Sequence, residues 1–415
     1  MKPMQPPSPV PSPSLGAAPP ARPEDGLQEH GERFAATFGG AVDARLFFSP
    51  GRVNLFGGHL DYNGGPVLPT AIDRGTHIAI RPREDGAVRL ASTFSGVVGE
   101  FRMDALPISP RGEWFDYPLG VLLALVEMGE GAASRLSGGL DVLFGGNLPV
   151  GAGLSSSASI CVGSAFAFDQ VFGLGLDAVQ RVAAALDAER GFVGVKCGIM
   201  DPYAVGFARP RHVLWLDCKD ETYEHLPLDF ERVAIGVVDT GIQRRLARGE
   251  FNRRVNECAA AFQALRVHAP SATVLRDVDR SVLEAHGHEL DPDLLRRATH
   301  VIEEVERTYV AREALLGGDL VTLGRCMSET HASLRDRYDC SCDELDVLVE
   351  AAIGEGGALG ARLTGAGFGG CAVMLLEAGT EERVSAVVSS AFERRYGRRP
   401  PIAFFQGDAG PRELR

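Results

Sequence analysis

Asn147-Leu148-Pro149-Val150-Gly151-Ala152-Gly153-Leu154-Ser155-Ser156-Ser157-Ala158-Ser159 is the stretch on which the fold turns. It joins a short apolar run at 140–144 to a long, almost wholly apolar stretch that starts near Ser155 and ends near Gly173. The first reads as a strand, the second as a helix apolar on all sides, which belongs in a core. The glycines let the backbone turn tightly and approach a ligand. The serines fall on the first turn of the helix, where free N–H groups and the dipole favour an anion. Their hydroxyls can add hydrogen bonds or a Mg²⁺ ligand. The loop is not a Walker A sequence, which needs a lysine after its last glycine; the lysines of this chain are Lys2, Lys196 and Lys219. Taken alone, the segment fits a serine-capped helix after glycine turns equally well.

Upstream, residues 31–38 have helical spacing and lead into Leu46-Phe47-Phe48, a short strand. A glycine-punctuated loop covers 51–65, strands are expected over 67–81 and 88–94, and a helix over 114–128. Downstream, 176–188 reads as a second helix. A buried-strand run at 233–239 opens the second half. Helical stretches follow at 250–267, 292–316, 320–335 and 342–354, with strands at 360–363 and 371–376 around another glycine-rich loop. Strands and helices in unequal blocks predict two α+β domains, residues 26–230 and 231–415, rather than a regular βαβ repeat. Residues 1–25, rich in Pro, Ser and Ala, have too little to bury and are expected to form a disordered leader.

The whole chain of 415 residues carries a formal net charge of −13, which argues against a nucleic-acid partner. No apolar run approaches the roughly 20 residues of a membrane span, and the N-terminus lacks the apolar core of a secretory signal. The eight cysteines are scattered, without the spacing of a zinc site. Reduced thiols in a cytoplasmic protein are expected.

Three segments together resemble the motifs of the GHMP kinases, in the same order. Ser49-Pro50-Gly51-Arg52-Val53-Asn54-Leu55, with His59-Leu60-Asp61-Tyr62-Asn63-Gly64-Gly65, is similar to the first in its galactokinase form. Pro149 to Ser159 resembles the second, and Leu363-Thr364-Gly365-Ala366-Gly367-Phe368-Gly369-Gly370-Cys371 the third. Cys197-Gly198-Ile199-Met200-Asp201, His331-Ala332-Ser333-Leu334-Arg335-Asp336 and Ser341-Cys342-Asp343-Glu344-Leu345-Asp346 resemble galactokinases more narrowly.

The resemblance implies a two-domain fold, with an N-terminal domain like ribosomal protein S5 domain 2 and a ferredoxin-like C-terminal domain. It implies an ATP-dependent sugar 1-kinase with Mg²⁺, whose partners are a small sugar and ATP; a monomer is expected. Phosphoryl transfer needs positioned phosphates, neutralised charge and a group that orients or deprotonates the attacking hydroxyl. By position, Asp201 would be the base and Arg52 the cation that stabilises developing charge. Gly151, Ala152, Gly153, Leu154, Ser155, Ser156 and Ser157 would wrap the ATP phosphates. Ser157 and Glu189 would hold Mg²⁺ through oxygen ligands. Gly58, His59, Leu60, Asp61, Gly198 and Phe251 would line the sugar site. Residues 365–369 would bring a second glycine turn close to it. Glu189 could instead end a solvated helix, His59 could be a core histidine, and His331 with Arg335 could be structural.

Two positions depart from the family pattern. Galactokinases usually carry Glu where Gly58 stands, on the sugar's C6 hydroxyl, and Tyr where Phe251 stands. Galactose remains the expected substrate. L-Arabinose, which lacks C6, and galacturonate, with a carboxylate there, are the alternatives, and a non-catalytic sugar sensor is a third.

Overall fold

The computed structural model describes residue 15 and residues 23–40, 44–149, 152–242 and 247–414. Its strands are β1 (Arg45–Asn54), β2 (Pro66–Val67), β3 (Pro69–Pro82), β4 (Ala87–Ser92), β5 (Ser95–Arg102), β6 (Gly139–Gly146) and β7 (His212–Asp217). They continue with β8 (Thr222–Pro227), β9 (Val233–Asp239), β10 (Gly360–Thr364), β11 (Cys371–Glu377), β12 (Ile402–Phe405) and β13 (Arg412–Leu414). Three sheets result, in the orders β13-β1-β3-β6-β4-β5, β10-β11-β9-β12 and β2-β7-β8. Among the described residues only β4 and β6 pair in parallel; the other pairs are antiparallel.

The long apolar helix expected after the glycine loop spans Ser156–Phe172 and lies across β1 and β3. Ser159 Oγ donates to Ser49 O and pairs with Thr76 Oγ1, both at 2.8 Å, which ties the helix to the sheet beneath it. In the second half the helices Leu320–Asp336 and Asp343–Ile353 pack on the four-stranded sheet, and Pro292–Gly317 packs on Leu320–Asp336 and against β2 and β8.

The first glycine-rich segment is less of a loop than its composition suggests. β1 runs through it as far as Asn54, with a register shift at Pro50/Gly51 against β3. A bulge tolerates the missing N–H of Pro50 and bends the strand. Arg52 therefore stands on a strand, with its backbone N–H bonded to Leu154 O at 3.1 Å.

Most of 1–25 lies outside the described residues. Where the segment is described it touches the body: Leu15 is buried in an apolar cluster, and His77 Nε2 donates to Pro23 O at 2.7 Å. All eight cysteines are free thiols. Among the described residues no helix is long and apolar enough to cross a membrane.

Candidate active site

Asp201, near the start of the helix Met200–Gly206, is the focus of the site. Arg52 Nε donates to Asp201 Oδ1 at 2.8 Å and Nη2 to Oδ2 at 2.9 Å. This is the planar two-point match that guanidinium makes with carboxylate. The third arm of Arg52, Nη1, donates to Gly153 O at 2.7 Å and so ties the phosphate loop to the same pair.

Ser155 would be the natural cap of the long helix, but its hydroxyl is turned elsewhere. It donates to Asp201 Oδ2 at 2.5 Å, and no side chain caps that helix N-terminus. The N–H groups of the first turn are left for another acceptor. The capped-helix reading of this segment therefore fails. Ser155 reaches Asp201 from a left-handed backbone, φ 57°. His59 and Phe368, one in each of the other two motifs, are also left-handed, at φ 62° and 59°. Such conformations cost about 1–3 kcal/mol each and persist where surrounding structure imposes them, often at functional sites.

A cavity of about 630 Å³ opens beside Asp201. Arg52, Gly58, His59, Asp61, Gly198 and Phe251 line it, and Gly365 and Ala366 of the third motif close it from the other domain. Gly198 is fixed by contact: a Cβ there would stand 2.0 Å from Asp61 Oδ2. Burial, with the charge of Asp201 adding to it, pushes the Asp61 carboxyl up to about 6. His59 bonds Tyr62 through Nδ1 at 2.8 Å, and its Nε2 is buried without a partner. Burial lowers its pKa to about 3, so the imidazole is neutral. Phe251 packs edge-on against Tyr62 and offers a ring but no hydroxyl. Leu60 does not join them: its side chain is fully buried against Gly65.

A second cavity, about 430 Å³, adjoins at Tyr117, which lines both. Its walls include Phe94, Trp114 and Phe144, and Ser156 and Ser157 reach it from the helix start. Glu189 sits on a π turn, Ala188–Phe192, and is only 2 % exposed. Its carboxyl is pushed up to about 7 by burial, against a hydrogen bond from Ser157. Oε2 has no partner. A buried, unsatisfied carboxylate oxygen beside a serine hydroxyl is a donor set that suits a hard cation. Gly151 lies outside the described residues; Ala152 and Leu154 are buried, while a Cβ on Gly153 would come within 3.9 Å of the Cα of Gly365.

His331 and Arg335 are placed away from the cavity. His331 accepts from Leu363 N at 3.2 Å and meets Asp346 at 3.1 Å, which steadies β10 just before the third glycine turn. Arg335 pairs with Asp336. The sequence reading missed Trp114, Phe94, Tyr117 and Arg362. The aromatics sit on different elements at no fixed spacing, so no linear signal marks them. Arg362 directly precedes the third motif and could have been found by extending it.

These features define a kinase of the GHMP class: two α+β domains whose three glycine-rich segments meet around a partly buried carboxylate. Residues 116–209 match the GHMP kinase N-terminal domain and 311–394 the C-terminal one. Residues 32–82 match the galactokinase galactose-binding signature. A galactokinase of Roseiflexus sp. is 43% identical over 354 residues, covering 85% of this chain and 89% of that protein. One from Bacillus subtilis is 36% identical over 385 residues, covering 92% and 97%. The crystal structure of Lactococcus lactis galactokinase complexed with galactose superposes with a TM-score of 0.88 at 33% identity, covering 94% of this chain and all of that one. A mevalonate kinase structure shares the fold, with a TM-score of 0.62 at 18% identity. The chain belongs to the galactokinase family.

Proposed function

We infer that this protein transfers the γ-phosphoryl group of ATP to the C1 hydroxyl of galactose, giving galactose 1-phosphate. The observation that carries the reading is the placement of Asp201. Its carboxylate, gripped by Arg52 and Ser155, faces the larger cavity close to an uncapped helix N-terminus. A hydroxyl held there can give its proton to Asp201 as its oxygen attacks phosphorus. Arg52 orients Asp201 through its two hydrogen bonds and offsets charge that develops between the two substrates.

The free N–H groups of the helix start, with Ser156 and Ser157, suit the phosphates, and the aromatic cavity at Phe94 and Trp114 suits the base. Glu189 and Ser157 would hold Mg²⁺, whose charge would neutralise that of the phosphates. Asp61 accepts sugar hydroxyls, and neutral His59 has a free ring nitrogen for one more. The galactose complex of the Lactococcus relative and the shared galactose-binding signature favour galactose over the alternatives. Intact catalytic machinery speaks against a sensor. A cytoplasmic monomer is the working proposal.

Asp201→Asn tests the reading. ADP release with galactose should fall by about 10²–10⁴-fold, the range of a lost general base, while circular dichroism and the melting temperature keep the folded signature. Near-normal turnover would remove Asp201 from the reaction.

A further inference from the structure

Three side chains able to ligate a metal gather among the helices of the second half, outside the cavities described above. His268 stands in the turn after the helix Ala247–Leu265, His286 closes the helix Arg280–His286, and Glu289 ends the short turn Gly287–Glu289. One ligand atom from each lies within 4.8 Å of the other two. His268 Nε2 meets Glu289 Oε2 at 3.1 Å, and His286 Nδ1 meets Glu289 Oε1 at 2.8 Å. Each imidazole thus has its own carboxylate oxygen. These two bonds hold the Glu289 carboxyl below its usual range, so it is anionic at neutral pH.

The backbone beneath the cluster is anchored. Leu265, Leu283 and Leu290, close in sequence to His268, His286 and Glu289, are buried in one apolar cluster. His268 N donates to Leu265 O at 3.0 Å, which fixes its turn. The three side chains stay partly exposed, so an ion can reach them and water can complete its shell.

The rings of His268 and His286 are stacked, with centroids 3.5 Å apart and planes 8° from parallel. A ring nitrogen's lone pair lies in the plane of its ring, so parallel rings do not aim at one point. Binding needs one ring to tilt towards the other, and partial exposure leaves room for that. Ligands around a tetrahedral Zn²⁺ lie about 3.4 Å apart, so the three atoms close in by about 1 Å. Each ring then gives the metal the nitrogen that now bonds Glu289, with its proton on the other nitrogen. Two imidazoles and one carboxylate are a mixed set that suits Zn²⁺ with a water in the fourth position. Mg²⁺, which takes oxygen ligands in an octahedron, is disfavoured there.

We propose that His268, His286 and Glu289 bind one Zn²⁺, which ties together the two ends of the segment 268–289. That segment joins the helix Ala247–Leu265 to Pro292–Gly317, and the two helices pack on each other. The ion is a structural clasp and takes no part in phosphoryl transfer. Phe251, which lines the sugar cavity, stands about 20 Å from the other end of the first helix at 1.5 Å per residue.

Calorimetric titration with Zn²⁺ tests the proposal, on the full chain stripped with EDTA and held in excess Mg²⁺ to fill sites of oxygen ligands. Wild type is compared with His268→Gln, His286→Gln and Glu289→Gln. The eight free thiols can also take Zn²⁺, so the difference from wild type is what counts. Each variant should lose one Zn²⁺ equivalent, or bind it more than about 10–100-fold less tightly, the cost of losing only a supporting bond to a ligand. Zn²⁺ should raise the melting temperature of the wild type and not that of the variants. Galactose turnover without added Zn²⁺ should match wild type throughout. Equal stoichiometry and affinity in all four proteins would overturn the proposal, as would a wild type that takes up Zn²⁺ with no change in melting temperature. Should one variant melt early without Zn²⁺, the other two decide.

Discussion

Asp61 and Asp201 place two carboxylates in one cavity and are held differently. Asp201 has Arg52 and Ser155 as donors, whereas Asp61 stands between desolvation and the charge of its neighbour. The pKa of Asp61 in the folded chain, about 6, lies above the free value of 3.8. The folded state therefore keeps that proton longer than the unfolded state does. A penalty for ionising in place begins near pH 4, grows until about pH 6 and is complete above it. Asparagine mimics the neutral form at every pH. Ligand-free Asp61→Asn should thus melt above the wild type at pH 8, with the gap closing by pH 4, while galactose affinity is lost. A gap that does not vary with pH would show that Asp61 ionises without strain. Trading stability for a charged sugar contact is what a preorganised site requires.

At the scale of elements, the helix Ser156–Phe172 rests on the sheet because Gly163 lets it. A Cβ there would come within 2.6 Å of Ser49 Cβ and 2.9 Å of Ile78 Cδ1. Alanine in mid-helix ordinarily gains about 1 kcal/mol over glycine, yet overpacking a tight contact costs about 1–3 kcal/mol. Gly163→Ala is expected to be net destabilising in urea, and to raise KM for ATP by shifting the serines of the first turn. A net gain in stability would show that helix and sheet separate freely. This helix, and four helices of the second half, were legible because an apolar stretch or a 3.6-residue period extends over many turns; Glu381–Tyr396 was not read from the sequence. β1 was legible only at Leu46-Phe47-Phe48, since Pro50 and Gly51 disguise its continuation, and the bulge that keeps it a strand depends on its partner β3. The two-residue β2 and three-residue β13 are too short to show any period. In the site, Arg52 and Asp201 were legible through motif context. The diversion of Ser155 from cap to carboxylate was not, because it depends on where a segment 46 residues away comes to rest.

At the scale of the molecule, among the described residues the six-stranded sheet takes no strand after β6 until the far end of the chain. β13 pairs antiparallel with β1, matching Leu46 to Leu414, and a single bridge joins Ile72 to Gly407. Arg45 holds Glu413 through two bonds of 2.7 and 2.8 Å. That pair is exposed enough to contribute little, so most of the gain comes from burying Leu414. Deleting residues 409–415 should cost roughly 2 kcal/mol, seen as a lower melting temperature, and should promote self-association on size exclusion as the edge of β1 opens. A truncated chain that stays monomeric and equally stable would show that the tail is dispensable. The same pairing sets a schedule during synthesis. Every motif of the active site has left the ribosome before residues 412–414 have, so the nascent sheet waits with β1 unpaired along its outer side. A ribosome that stalls late would release a product with every site residue and a bare strand edge, a template for aggregation.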